Sequence, residues 1–121
     1  MKIKVLRLAV IMAVLLIGSH SLKAQVKNVF TGNWSFDAPS APGGYTKGFM
    51  EVKKDSVLTS FPDMSFKYPS MWVKVKNDSL IYEVNIDGEE VLFSLKTDDK
   101  TKITGNAVWS SGETIIYASK K

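Results

Sequence analysis

Leu80-Ile81-Tyr82-Glu83-Val84-Asn85-Ile86-Asp87-Gly88-Glu89-Glu90-Val91-Leu92-Phe93-Ser94-Leu95 alternates apolar and polar residues on either side of an Asp-Gly pair. Side chains along a strand alternate between faces. Leu80, Tyr82, Val84 and Ile86 therefore share one face, and Val91, Phe93 and Leu95 share the same face of the next strand. A two-residue type I′ turn needs positive φ at both central positions, which Asp-Gly supplies. The stretch predicts a hairpin turning at Asp87-Gly88, with one face buried.

The same period extends outward. Val73 and Val75 precede the hairpin, and Ile103, Gly105, Ala107 and Trp109 follow it. Asn77-Asp78, Asp98-Asp99 and Ser111-Gly112 supply further turns, and residues 113–119 read as a last strand. Upstream, residues 45–53 and 56–61 are strands joined at Lys54-Asp55. Residues 30–37 are a first strand with Trp34 and Phe36 on one face, Asn33 and Ser35 on the other. Two segments interrupt the pattern. Residues 38–44 hold two prolines and two glycines and cannot continue a ladder. Residues 62–70 form a second long connection, in which Phe66 and Tyr68 make either a short strand or an exposed rim.

This gives eight strands in sequence with no helical stretch among them. An open meander would leave two unpaired edges, whereas pairing the first strand with the last removes them. The predicted fold class is all-β, an eight-stranded antiparallel up-and-down barrel. A two-sheet sandwich satisfies the same alternation.

The first residues have another pattern. Lys2, Lys4 and Arg7 precede an apolar run from Leu8 to Ile17, and a polar stretch ends at the small Ala24. That is the pattern of a cleaved signal peptide, and the run is about half the ~20 residues a membrane-spanning helix needs. The expected organisation is a signal peptide at 1–24 and one barrel domain at 25–121, located in the periplasm or outside the cell with no membrane span.

Lys2, Lys4, Arg7 and Lys23 account for the whole formal charge of +4, so the remainder is neutral. Nucleic acid, which demands clustered positive charge, is not an expected partner. The chain has no cysteine, and its one histidine, His20, and Arg7 lie before residue 25. The expected mature domain thus lacks Ser-His and Cys-His pairs, thiolate or imidazole zinc ligands, disulfides, a lipid-bearing cysteine and a guanidinium clamp. The adjacent acidic pairs Glu89-Glu90 and Asp98-Asp99 sit at turns, where carboxylates are solvated. No spaced run of oxygen ligands accompanies Asp98 and Asp99. A non-catalytic protein without metal or cofactor is expected.

In an up-and-down barrel, successive connections alternate between the two ends. Residues 38–44, 62–70, 87–88 and 110–112 then share one end, a mouth holding both long loops; residues 54–55, 77–78 and 98–99 close a tight base. Tyr45, Phe61, Trp72 and Trp109 are expected near the mouth and Trp34 toward the middle or base. Gly105 and Ala107 are small inward residues below Trp109, leaving room for a shallow cavity, although barrels of this size are commonly filled by their own side chains.

Gly32-Asn33-Trp34 on the first strand of such a meander resembles the calycins, the group of lipocalins, avidins and fatty-acid-binding proteins. More narrowly, residues 32–48, GNWSFDAPSAPGGYTKG, are similar to the opening of small secreted calycin-like β-barrel proteins of Gram-negative bacteria, whose function is largely unassigned. The resemblance implies a barrel in which Gly32 and Trp34 are structural. Lipocalins usually pack a late-strand arginine over the tryptophan, and fatty-acid-binding proteins place arginine on the ligand carboxylate. This chain has no arginine beyond Arg7, so an anionic headgroup would have to use a lysine.

The expected function is that of a secreted, non-catalytic binding module. Its mouth, through Tyr45, Phe61, Phe66, Tyr68, Trp72 and Trp109, would enclose a small apolar or sugar-like ligand, since aromatic faces with polar handles suit both. Ordinary core packing is the competing reading of each of these residues. The alternative function is an interaction or inhibitor-like domain that presents loops 38–44 and 62–70 to a protein of the cell envelope.

Overall fold

A computed structural model describes residues 29–121. The expected signal segment, residues 1–24, lies outside the described residues. The eight strands are β1 (Gly32–Asp37), β2 (Lys47–Val52), β3 (Val57–Ser60), β4 (Tyr68–Lys76), β5 (Ser79–Ile86), β6 (Glu89–Asp99), β7 (Lys102–Trp109) and β8 (Gly112–Lys120). Each pairs antiparallel with the next, and β8 returns to β1 to close the barrel, with Trp34 opposite Lys120 and Phe36 opposite Ala118. That last pairing rules out the two-sheet sandwich.

The opening hairpin has the predicted register, with Tyr82 opposite Phe93 and Val84 opposite Val91. Its turn has φ of 52° at Asp87 and 94° at Gly88, and the Asn85 side chain accepts the Gly88 N–H at 2.9 Å. Most strand ends move by one or two residues, as β1 begins at Gly32 and β2 at Lys47, and two boundaries move in ways that matter. β6 runs through Asp98 to Asp99, and the turn shifts to residues 100–101. There the Asp99 carboxylate accepts the N–H of Thr101 at 2.7 Å and of Lys102 at 3.1 Å. These donors, Thr101 first, hold the Asp99 carboxyl below its usual value. An aspartate that caps the bend satisfies backbone donors one or two residues further on than a turn centred on it. The long connection at 62–70 also shortens, because β4 begins at Tyr68, opposite Thr59.

The seam between β3 and β4 joins at two positions, one of them Pro69, which has no N–H. The Ser70 hydroxyl supplements it by accepting the Val57 N–H at 3.0 Å. A register shift between Ser70 and Trp72 follows in β4.

Inward side chains fill the lower and middle barrel. Phe30, Trp34, Met50, Leu80, Tyr82, Leu95, Ile103 and Ile116 are fully buried there. The Tyr82 ring stacks on Phe93 with centroids 4.8 Å apart and planes within 7°. Its hydroxyl lies 3.0 Å from the Met50 sulfur, and burial raises its pKa. Gly105, expected to leave empty volume, does not: a Cβ there would meet the Ser94 carbonyl oxygen of β6 at 2.0 Å. It is a point of close strand approach, while Ala107 alone of the small pair opens onto a cavity. Among the described residues no helix is long and apolar enough to cross a membrane.

Candidate functional site

The connections at residues 38–46, 61–67, 87–88 and 110–111 gather at one end, and those at 53–56, 77–78 and 100–101 at the other. Between the first set lies a cavity of about 290 Å³. This is at the lower edge of the ~300–1,000 Å³ typical of ligand pockets. The barrel is thus filled below and hollow above.

The first loop makes part of the wall. Its proline- and glycine-rich sequence turns twice, through Ala41 N–H to Ala38 O at 3.0 Å and Tyr45 N–H to Pro42 O at 3.0 Å. The Ser40 N–H, donated to the Thr114 hydroxyl at 3.0 Å, ties the loop to β8. Ala38, Ala41, Pro42 and Tyr45 consequently face the cavity. Phe36 and Phe93 lie at its depth, with ring centroids 6.3 Å apart edge-to-face. Phe61 packs against Tyr45 at 5.0 Å and Phe36 at 6.2 Å on one side, and Trp109 with Ala107 lines the other.

Asp87 is the polar centre of the rim. The Tyr45 hydroxyl donates to its Oδ2, and the Tyr68 hydroxyl donates to its Oδ1 at 2.8 Å. One carboxylate thereby links the first loop, the start of β4 and the β5–β6 turn. The hydrogen bonds from Tyr45 and then Tyr68 hold the Asp87 carboxyl below its ordinary value. Reciprocally, the bond to Asp87 raises the Tyr45 pKa and pushes Tyr68 up to about 12. Both phenols stay neutral donors and Asp87 stays an anion through the physiological range. Glu89, also on the cavity wall, accepts from the Ser110 hydroxyl at 3.1 Å. Among the described residues no group of three or more His, Cys, Asp or Glu is placed to hold a metal ion.

Of the six aromatic residues expected at the mouth, Tyr45, Phe61 and Trp109 line the cavity. Tyr68 does not line it but reaches it through Asp87 and through the Phe61 ring, 6.2 Å away between centroids. Phe66 is 59% exposed on the rim, edge-on to Tyr68 at 4.8 Å. Trp72 does not join them. It stands on the outer wall, 40% exposed, donating its Nε1–H to Glu83 at 2.8 Å with the Lys74 ammonium 5.8 Å from its ring. The early start of β4 puts Trp72 mid-strand, and its alternation with the inward Val73 and Val75 turns it out. Phe36, Phe93, Asp87 and Glu89 were not among the expected site residues. The alternation of ends had placed residues 87–88 at the mouth, so the anionic rim was readable from the Asp87 position.

At the base, Trp34 is fully buried and its Nε1–H donates to the Phe30 carbonyl at 2.8 Å. Gly32 and Trp34 both belong to the closed end, away from the cavity.

No protein-family model matches this chain, and no curated protein matches it by sequence. Among solved structures it is similar to a redesigned β-barrel, at 13% identity and a TM-score of 0.56 over 77% of this chain and 91% of the other. It is also similar to a mutant of the fluorescent protein UnaG, at 15% identity and a TM-score of 0.50 over 77% of this chain and 96% of the other. These likenesses carry the barrel fold, consistent with a calycin-like architecture, and leave the contents of the cavity to the residues that line it.

Proposed function

We propose that the protein is a non-catalytic binding module that holds a small, largely apolar molecule in the mouth cavity. The observation that carries this reading is an open, aromatic-walled hollow above a barrel whose lower and middle interior is filled by buried side chains. An apolar body is favoured over a saccharide, because most of the lining residues are apolar, and of the polar groups the Tyr45 hydroxyl, Glu89 and Thr114 are already hydrogen-bonded within the protein. The basic, apolar and small-residue pattern of residues 1–24 supports action outside the cytoplasm. Titration of the protein with small aromatic and alicyclic molecules, followed by tryptophan emission and calorimetry, tests it; saturable binding is expected, and heat and emission that stay flat across the panel would refute it.

A second reading, docking of another envelope protein, draws on Phe66 at 59% and Met71 at 53% exposure beside the mouth. The loop at 38–44 lends it less, since Ala38, Ala41 and Pro42 turn toward the cavity. A pull-down whose yield drops with Phe66→Ser would favour this reading over the first.

A further inference from the structure

Charge is divided between the ends of the barrel. Asp37, Asp63, Asp87, Glu89, Glu90 and Glu113 lie on the loops and strand ends of the mouth, half of the twelve carboxylates in the chain. Two lysines accompany them, each beside a carboxylate: Lys47 is 2.7 Å from Asp37 and Lys67 is 3.5 Å from Glu51. Lys53, Lys54, Lys76, Lys100, Lys102, Lys120 and Lys121 gather at the opposite end, where they outnumber the carboxylates Asp55, Asp78, Asp98 and Asp99. The mouth is therefore negative and the base positive. A cleft rimmed by one sign of charge concentrates ligands of the other.

Inside the cavity the asymmetry is complete, since Asp87 and Glu89 line it and no lysine does. The two tyrosine hydroxyls occupy two of the roughly four lone-pair positions of the Asp87 carboxylate, leaving the others to accept from a ligand. An anionic ligand would meet two carboxylates and no cation among the lining residues. A neutral apolar ligand would strip water from Asp87 without replacing its hydrogen bonds. An ammonium satisfies the carboxylate, and the faces of Trp109, Phe61 and Tyr45 add attraction for a cation.

We propose that the molecule held in the mouth is a small organic cation: an ammonium group at Asp87, carried on an aromatic or alicyclic body that fills the space between Phe36, Phe61 and Trp109. This rests on the mouth cavity being a ligand site, and it adds the charge of the ligand. The hydrogen bonds from Tyr45 and Tyr68, which lower the Asp87 pKa, favour the required anion. The hydroxyls of Tyr45 and Tyr68 act as positioning groups that fix the carboxylate, while the ring of Tyr45 lines the cavity.

The test compares three molecules of similar body and different head, phenethylamine, phenethyl alcohol and phenylacetate, titrated calorimetrically into the protein at neutral pH. The amine is expected to bind about tenfold or more tightly than the alcohol, and phenylacetate weakest. Added salt should reduce the ratio of amine to alcohol affinity. Asp87→Asn should bring that ratio toward one, and asparagine is suited to the left-handed turn position. Glu89→Gln, which leaves the tyrosine contacts intact, should lower it in the same direction and guards against misfolding of the first variant. An alcohol that binds as well as the amine overturns the cation assignment while the cavity reading stands. Failure of all three to bind overturns the cavity reading and the cation assignment together.

Discussion

The ammonium of Lys120 lies 5.4 Å from the centroid of the Trp34 ring, across the pairing that closes the barrel. Because the two residues are opposite each other in register, both lie on the inner face, and Lys120, exposed at the end of β8, lays its stem across the base. Gly32 makes room for it: a Cβ there would sit 2.8 Å from Lys120 Cε, and the backbone at Gly32 has φ of +131°. The Gly-x-Trp motif and the late-strand cation thus form one structure, a lid over a buried indole.

Replacing Trp34 with alanine should cost about 3–5 kcal/mol, the usual loss for deleting a buried aromatic side chain. Gly32→Ala should cost about 1–3 kcal/mol, because a residue with a Cβ is strained at that φ and collides with the lysine stem. Lys120→Met, which keeps the stem and removes the charge, should cost less than about 1 kcal/mol. Urea unfolding of the three variants checks the order. Equal midpoints for Trp34→Ala and the unmodified protein would show that the indole does not hold the base together.

Gly105→Ala tests the close approach of β6 and β7. The atom a new methyl would meet is the Ser94 carbonyl oxygen, part of the neighbouring ladder and unable to rotate away. Strands would have to separate beside Leu95, which is buried. Overpacking of this kind costs about 1–3 kcal/mol. The expected result is a lower urea midpoint, whereas an unchanged midpoint would mean that the strands part without loss.

Strand order, closure and the sharing of one end by the long loops were legible because each rests on a local signal: period two, Asp-Gly geometry, and the parity of connections. The distance of Trp72 from the mouth was not, although the inward reading of Val73 and Val75 already turns it outward. Its place depends on where β4 begins, and Tyr68-Pro69-Ser70 carries a proline that reads as a break although it occupies a strand position beside the short β3. Phe36 and Phe93 were legible as inward but not as cavity walls. That distinction depends on the first loop leaving space above them, set by the Ser40 to Thr114 bond between residues 74 apart in sequence. Lys120 over Trp34 depends in the same way on closure between the two ends of the domain.

The Tyr45–Asp87–Tyr68 contact should make stability depend on pH at both extremes. The folded pKa of Asp87 lies below its ordinary 3.8, so its contribution is present above that value and is lost as pH falls through the lowered one. The folded pKa of Tyr68 is raised from 10.0 to about 12, so its contribution is present below 10 and is lost as pH rises toward 12. Melting temperature measured against pH should show both losses in the unmodified protein. Asp87→Asn should flatten the acid limb, and Tyr68→Phe should flatten part of the alkaline one. Limbs identical in the variants and the unmodified protein would show that the contact does not couple to folding.

The three tryptophans occupy three environments, and this makes the location of ligand readable by emission. Trp34 is sealed beneath Lys120, Trp72 is on the outer wall bound to Glu83, and Trp109 lines the cavity. A ligand in the mouth changes the surroundings of Trp109 and leaves those of the other two as they were. Trp109→Phe should therefore abolish the emission change on titration, while calorimetry still records binding because phenylalanine keeps an aromatic wall. Trp72→Phe should keep the emission change and lose only the exposed, readily quenched fraction of the signal. The opposite result, a response that survives Trp109→Phe and disappears with Trp72→Phe, would move the binding surface to the outside of β4 and β5. There the exposed Met71 and the Trp72–Glu83 pair would become the residues to examine.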